Sequence, residues 1–275
     1  MSQTSSNTAS VSVIIPCYRC VATIERAVSS IAAQTVLPAE VILVDDASGD
    51  GTRHLLVEIS GRYQMGWIKL VLLEQNVGAG NARNAGWAVA SQLLIAFLDS
   101  DDAWHEQKIE IQTALMTANP EVLLSGHSHR LLKTGLLPHW PILATPTVHI
   151  GKWRMMLSNQ FVTPSVMLRR DIPHRFVDRQ RYMEDHMLWL LVVCSGAKVV
   201  KLPIDLAAIY KAPFGVTGLS ARVWEMERSD LGNYHRLHKA HYLNFIQFGL
   251  LAAYSWLKYL RRLALYWVYL RPKQA

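Results

Sequence analysis

The sequence predicts an α/β fold, a mostly parallel Rossmann-like sheet with helices packed on both faces. Two observations carry this expectation. Short, continuous apolar runs rich in β-branched residues alternate with segments whose apolar residues recur at helical spacing. Three of those runs also stop abruptly, at Pro16-Cys17-Tyr18, Asp45-Asp46 and Asp99-Ser100-Asp101-Asp102. Crossover connections between parallel strands put such ends on one edge, and open α/β sheets bind ligands beyond the carboxyl ends of their strands.

Taken in order, Met1 to Ser10 is polar and lacks the basic start and apolar centre of a secretory signal. It reads as a short disordered tail. Val11 to Pro16 is the first buried strand, and Ala22 to Gln34 spaces Ile24, Ala27, Val28 and Ile31 as a helix does. Val41 to Val44 is a second strand, followed by a turn at Gly49-Asp50-Gly51 and a helix through Leu55, Leu56 and Ile59. Ile68 to Leu72 is a third strand. Asn76 to Gly80 breaks the chain before a helix from Asn81 to Ala90, and Leu93 to Leu98 is the fourth strand.

The second half is less regular. A helix is expected from Glu106 to Ala118, short strands at Val122–Leu124, Val166–Leu168, Lys198–Val200 and Leu206–Tyr210, and a proline-rich loop from Leu136 to Pro146. Glu184 to Val193 reads as a helix. Residues 11–223 are expected to form one domain and residues 224–275 a helical extension.

The 275 residues suffice for one large domain or a domain with an appendage. Hydrophobic residues make up 51% and charged residues 18%, so the apolar excess fills a large core or covers an apolar partner such as a membrane. A net charge of +7 suits nucleotide phosphates, nucleic acid or an anionic membrane surface. No basic and aromatic stripe sits on a recognisable reading element, which argues against nucleic acid. Three cysteines, an odd and low count, do not suggest a disulfide framework. Cys17 and Cys20 have the spacing of a zinc or redox pair, but no second pair completes a zinc site. Two reduced thiols at a strand end, in a reducing cytosol, is the simpler reading.

The acidic run is the sharpest chemical signal. Two carboxylates separated by one residue resist ionising together. A divalent cation removes the conflict, and Mg²⁺ or Mn²⁺ commonly divides its ligands between one or two carboxylates and substrate phosphates. Capping of the helix near Glu106 accounts for Asp102, but not for three acids after six apolar residues. Gly78 and Gly80 before a helix suggest a dinucleotide loop, yet Arg83 stands where a third glycine belongs and the fingerprint would follow the first strand.

Four blocks together resemble the family 2 glycosyltransferases of the GT-A fold. They are Val13 to Tyr18, Val44 to Thr52, Asn76 to Gly86, and Phe97 to Trp104, in the family's order and over about the first hundred residues. The resemblance implies a nucleotide-diphosphate sugar donor, UDP being the commonest, a divalent metal, and inversion at the anomeric carbon. Carried over by position, it places Pro16 and Tyr18 in the nucleotide pocket, Asp45 at the base with Asp46 beside it, and Arg83 near the nucleotide or its phosphates. It places Asp99 at the ribose, Ser100 next to it, and Asp101 on the metal.

Met183-Glu184-Asp185-His186 resembles the family's acidic pair at a helix start, which makes Asp185 the general base and Glu184 its neighbour. Carboxylates also suit a helix N-terminus for dipole reasons alone. Tyr210-Lys211 with Gly218-Leu219-Ser220 resembles a weaker element, a basic segment closing over the diphosphate, with Lys211 on a phosphate.

Phe245 to Leu257 holds no charge but is shorter than the roughly 20 residues of a spanning helix. Lys258, Arg261 and Arg262 follow, among Trp256, Tyr259, Tyr266, Trp267 and Tyr269. One or two amphipathic helices on a membrane surface are expected, or alternatively a helix packed on protein. His235, His238 and His241 read as a solvated or membrane-facing stripe. The expected setting is the cytoplasmic face of the inner membrane, with a saccharide or lipid-linked saccharide as acceptor, in surface polysaccharide assembly. A nucleotidyltransferase is the competing enzyme, but its glycine-rich basic first loop is missing. A non-catalytic nucleotide-sugar-binding scaffold of the same fold is the other alternative, and the intact acidic sets argue against it.

Overall fold

The computed structural model describes residues 8–143, 145–210 and 222–269, with side chains through residue 264. The chain divides into two compact units between residues 211 and 212.

The first unit is built on one sheet. Strands β1 (Thr8–Cys17), β2 (Leu37–Asp45), β3 (Ile68–Leu72) and β4 (Leu94–Phe97) lie parallel in the order β3-β2-β1-β4. Between them run helices α1 (Ile24–Ala32), α2 (Thr52–Gly61) and α3 (Ala79–Val89). Val11, Val13, Ile14 and Ile15 are all fully buried, so both faces of β1 are covered and the strand reads as an unbroken apolar run. Each such side chain contributes about 1.5–3 kcal/mol of burial. Helix α3 lies very close over β1. A Cβ at Gly86 would stand 2.6 Å from Ile14 Cγ2, so only glycine permits this approach.

β1 begins earlier than its apolar run suggested. Thr8 and Ala9, expected in the tail, pair with Leu37 and Pro38. Their ladder partners, not their own polarity, place them in the sheet.

The sheet continues through β5 (Ala103–Trp104), β6 (Val122–Leu131), β7 (Val148–His149), β8 (Met167–Arg169) and β9 (Lys198–Ile209). β8 is antiparallel to both β4 and β6, and β6 runs parallel to β9. β6 and β9 are each longer than expected, and the two strands read at 198–200 and 206–210 are one. Helix α4 (Lys108–Ala118) follows Gln107, and α5 (Lys152–Leu157) and α6 (Glu184–Cys194) complete the unit. Helix α4 therefore starts too late for Asp102 to cap it. Asp102 instead accepts the Tyr210 backbone N–H at 3.4 Å, near the end of β9.

The second unit holds α7 (Val223–Lys239) and α8 (Phe245–Tyr269), which pack against each other. Two members of the His235–His241 stripe lie against α8. His238 stacks on Phe248 with centroids 5.4 Å apart, and His235 lies 6.0 Å from the same ring. Ser255 and Lys258 also turn inward, both onto Asp230 of α7, at 3.4 and 3.5 Å.

Candidate active site

The parallel order brings the ends of β2, β1 and β4 side by side. At the end of β2 the chain must turn sharply, and Ala47 and Gly49 take positive φ angles of 52° and 66°. Asp45 is 1% exposed. Its Oδ1 accepts from the Ser48 backbone at 3.2 Å and the Ser48 hydroxyl at 2.6 Å, and its Oδ2 accepts from Arg53 Nε at 3.0 Å. Asp46 accepts the backbone N–H groups of Val77 and Gly78 at 2.7 and 2.9 Å. Burial nonetheless pushes its carboxyl above the usual carboxylate range, against those two donors. Asn76 donates to the Asp46 carbonyl at 3.1 Å, so the 76–78 turn is fastened to the end of β2 before α3 begins.

Tyr18 stands exposed beyond β1, with the Arg19 guanidinium 5.3 Å from its ring. Pro16 sits just before it, half-buried. Cys17 and Cys20 are free, buried thiols. A hydrogen bond with Cys17 lowers the Cys20 thiol, and a further bond with Ser100 assists.

β4 ends differently. Arg83, on α3, is buried and bridges two carboxylates, with its NH2 2.7 Å from Asp99 Oδ1 and its NH1 3.1 Å from Glu184 Oε1. Both terminal nitrogens are therefore engaged by acids. Burial opposes the Arg83 charge, but Asp99 and Glu184 outweigh it and hold its pKa up. Asp99 is raised by burial, with Asp101 and Asp185 adding to the effect and Arg83 resisting it. Arg26 donates to the Asp101 carbonyl and lies over the Tyr210 ring at 3.8 Å.

Helix α6 enters through Met183, whose φ is +54°, and this sharp entry sets Glu184 and Asp185 in the first turn. Burial raises Glu184 to about 7, with Asp185 adding to the rise and Arg83 opposing it. Asp185 Oδ1 accepts the His186 backbone N–H at 2.6 Å, and its Oδ2 accepts from the Thr163 hydroxyl at 3.4 Å. A Cβ at Gly80 would meet Glu184 Cγ at 3.1 Å, so α3 and the start of α6 touch at a glycine.

The structure thus links Asp99, Arg83, Glu184 and Asp185 in one series of contacts, with Asp101 and Ser100 on the turn after β4. Lys211 and Gly218 to Ser220 lie outside the described residues. Sequence reasoning missed Thr163, which holds Asp185, and Arg53, which answers Asp45. Arg53 left a faint signal, a cation eight positions after an acid at the start of a helix; Thr163 left none. Among the described residues, no three His, Cys, Asp or Glu side chains gather into a metal cage. Asp101 and Asp99 are the residues able to share a hard cation with a phosphate ligand.

Comparison with known proteins shows the family and the fold. WfgD of Escherichia coli, named as a UDP-Glc:alpha-D-GlcNAc-diphosphoundecaprenol beta-1,3-glucosyltransferase, is 32% identical over 66% of this chain and 69% of its own length. AmsE of Erwinia amylovora, an amylovoran biosynthesis glycosyltransferase, is 30% identical over 66% of this chain and 67% of its own. The crystal structure of S. aureus TarS 1-349 in complex with UDP-GlcNAc superposes with a TM-score of 0.70 at 17% identity, over 96% of this chain and 77% of that one. This likeness shows the shared GT-A fold. The model of Glycosyl transferase family 2 matches residues 12–172, more than half of the sequence, and the chain belongs to that family.

Proposed function

We propose that the chain moves a sugar, with inversion, from a UDP-sugar to a hydroxyl of a lipid-diphosphate-linked saccharide during bacterial surface polysaccharide assembly. The observation that carries the reading is the Arg83 bridge from Asp99, two residues before Asp101 after β4, to Glu184, which precedes Asp185 on α6. The donor and acceptor classes are those named for the WfgD relative.

In this reading Tyr18 and Pro16 flank the nucleotide, with Asp45 and Asp46 forming the wall behind it. Asp99 faces the ribose, with Ser100 beside it, and Lys211 meets the diphosphate. Asp101 holds the divalent ion, Mn²⁺ or Mg²⁺. A hard-oxygen donor set of one or two carboxylates plus a diphosphate fits such an ion, and the mutual repulsion between Asp99 and Asp101 marks a place that favours a cation. The bound ion supplies neutralisation of the charge that builds on the departing diphosphate. Asp185 takes the proton of the acceptor hydroxyl as that oxygen attacks the anomeric carbon and the bond to the diphosphate breaks. Thr163 and the His186 amide fix the carboxylate's orientation. Glu184 positions Arg83 and, through it, Asp99.

Calorimetric titration with UDP and Mn²⁺, combined with transfer assays on Asp185→Asn, tests the assignment. The variant should bind UDP as the wild type does and lose about 10²–10⁴-fold in turnover. Near-normal turnover would remove Asp185 from its role.

The second unit fits a peripheral position on the cytoplasmic membrane face. Among the described residues no helix is long and apolar enough to cross a membrane. Helix α8 exposes Ile246, Leu250, Leu257 and Leu260, flanked by Tyr254 and Trp256, and it holds no acidic residue. Apolar exposure with flanking aromatics and a basic balance suits an anionic bilayer surface. Flotation with phosphatidylglycerol vesicles should recover the protein and fail for Leu250→Glu/Leu257→Glu; equal recovery of both would overturn membrane contact.

A further inference from the structure

Tied to the start of α6 lies a group of cations that the transfer steps above do not use. The segment from Arg154 to Thr163 is fastened to the start of α6 at both ends. His186 Nε2 lies 2.9 Å from the Met155 carbonyl, and the Thr163 hydroxyl reaches Asp185. Arg154 and Asp185 are thus each one residue away from the same contact. Between these ties, two cations converge on Gln160. Arg154 Nε donates to Gln160 Oε1 at 3.1 Å, and Lys201 Nζ, from β9, donates to the Gln160 carbonyl at 3.0 Å.

His129, on the neighbouring strand β6, completes the group. Its ring is lowered by burial and by the Lys201 charge, with Asp205 opposing, and Lys201 is lowered by burial and by Arg154. Lys201 is therefore close enough to be repelled by Arg154 on one side and to act on His129 on the other. Among the described residues, neither Arg154 nor Lys201 has a carboxylate within ion-pair distance. The nearby acid Asp205 is engaged by Arg130 at 2.8 Å. Like charges that lack an ion-paired acid of their own are stabilised by an anion that joins them. A guanidinium fork beside an ammonium suits phosphate oxygens.

We propose that Arg154 and Lys201, with His129 at the edge, form a subsite for the diphosphate of the acceptor. The proposal rests on the lipid-diphosphate acceptor of the preceding section and deepens it. The donor diphosphate belongs with Asp101 at the other end of the contact series Asp99, Arg83, Glu184, Asp185. In an acceptor of the kind in the WfgD name, a single sugar ring separates the accepting hydroxyl from the diphosphate. An anion subsite adjoining the base is where such an acceptor needs one.

The test uses the full chain and two acceptors: an alkyl-diphosphate-linked N-acetylglucosamine, and the alkyl glycoside of the same sugar without phosphate. In Arg154→Ala/Lys201→Ala, KM for the diphosphate acceptor should rise at least about tenfold. KM for the neutral glycoside and Kd for UDP should move less than about twofold, and Lys201→Arg should retain most of the affinity. Inorganic pyrophosphate, titrated without UDP or Mn²⁺, should bind the wild type and not the double variant. An equal effect on both acceptors, or unchanged pyrophosphate binding, would overturn the subsite. Loss of phosphatidylglycerol vesicle binding with an unchanged diphosphate-acceptor KM would assign the cations to bilayer headgroups and overturn it too. A wild type that binds UDP and pyrophosphate but uses neither acceptor would refute the acceptor reading of the preceding section and leave the anion site standing.

Discussion

Two acidic strand ends lie near each other on one edge of the sheet, and their charges are met in different ways. At the end of β2, Asp45 and Asp46 are sealed in. Ser48, Arg53 and the amides of Val77 and Gly78 occupy their oxygens at 2.6–3.2 Å. After β4, Asp99 relies on Arg83, which it shares with Glu184, while Asp101 adds repulsion from close by. The same residue type therefore serves two purposes. Carboxylates whose hydrogen bonds are complete fix the shape of a wall. Carboxylates set against one another keep negative potential available for a cation and its ligand.

The largest effect that would break this contrast is on metal-dependent binding. Asp101→Ala should abolish the Mn²⁺ dependence of UDP binding in calorimetry. Asp46→Asn should keep that dependence while losing about 1–3 kcal/mol of folding stability, because an amide cannot accept both backbone N–H groups. If the two variants behaved alike, the distinction between wall and cation site would fall.

Arg83→Met comes next. Removing the shared partner leaves the mostly buried Glu184 and the partly exposed Asp99 uncompensated, and urea unfolding should show a loss of about 2–4 kcal/mol. A loss below about 1 kcal/mol would mean that solvent, not Arg83, balances Asp99 and Glu184.

The smallest effect concerns pH. Glu184 keeps its proton up to about 7 in the folded chain, whereas the unfolded chain loses it near the ordinary value of 4.5. The folded state binds more protons across that window, so this group's contribution to stability is fully present below it and declines as pH rises through it. Glu184→Gln should flatten the fall in Tm between about pH 5 and 7 in metal-free protein. An unchanged slope would place the titration elsewhere.

How much of this could be read beforehand depends on where each signal lies. The strands from β1 to β4 were legible because a parallel strand covered on both faces is an unbroken apolar run, and three of them end in polar or acidic groups. β9 was read as two pieces because Pro203 and Asp205 interrupt it, at the point where its register with β6 shifts between His127 and Ser128. β6 was read short because Ser125, His127 and Ser128 look like loop residues, although Ser125 and His127 are fully buried. The roles of Asp99 and Asp185 were suggested by motifs, but the bridge between them was not. Arg83 and Glu184 are 101 positions apart, and nothing local in either segment tells that they meet. For the same reason the inward turn of Ser255 and Lys258 was invisible until α7 supplied Asp230.

Helix α3 also limits how this family member can drift in sequence. Gly86 lets it rest on Ile14, and Gly80 lets it rest on Glu184, at would-be Cβ distances of 2.6 and 3.1 Å. The helix is a shim between the sheet and the start of α6, with a bare face at each end. A methyl group gained at either position would change the thickness of that shim and carry the acidic pair of α6 away from the strand ends. Two glycines therefore set how far the acidic pair of α6 stands from the strand ends.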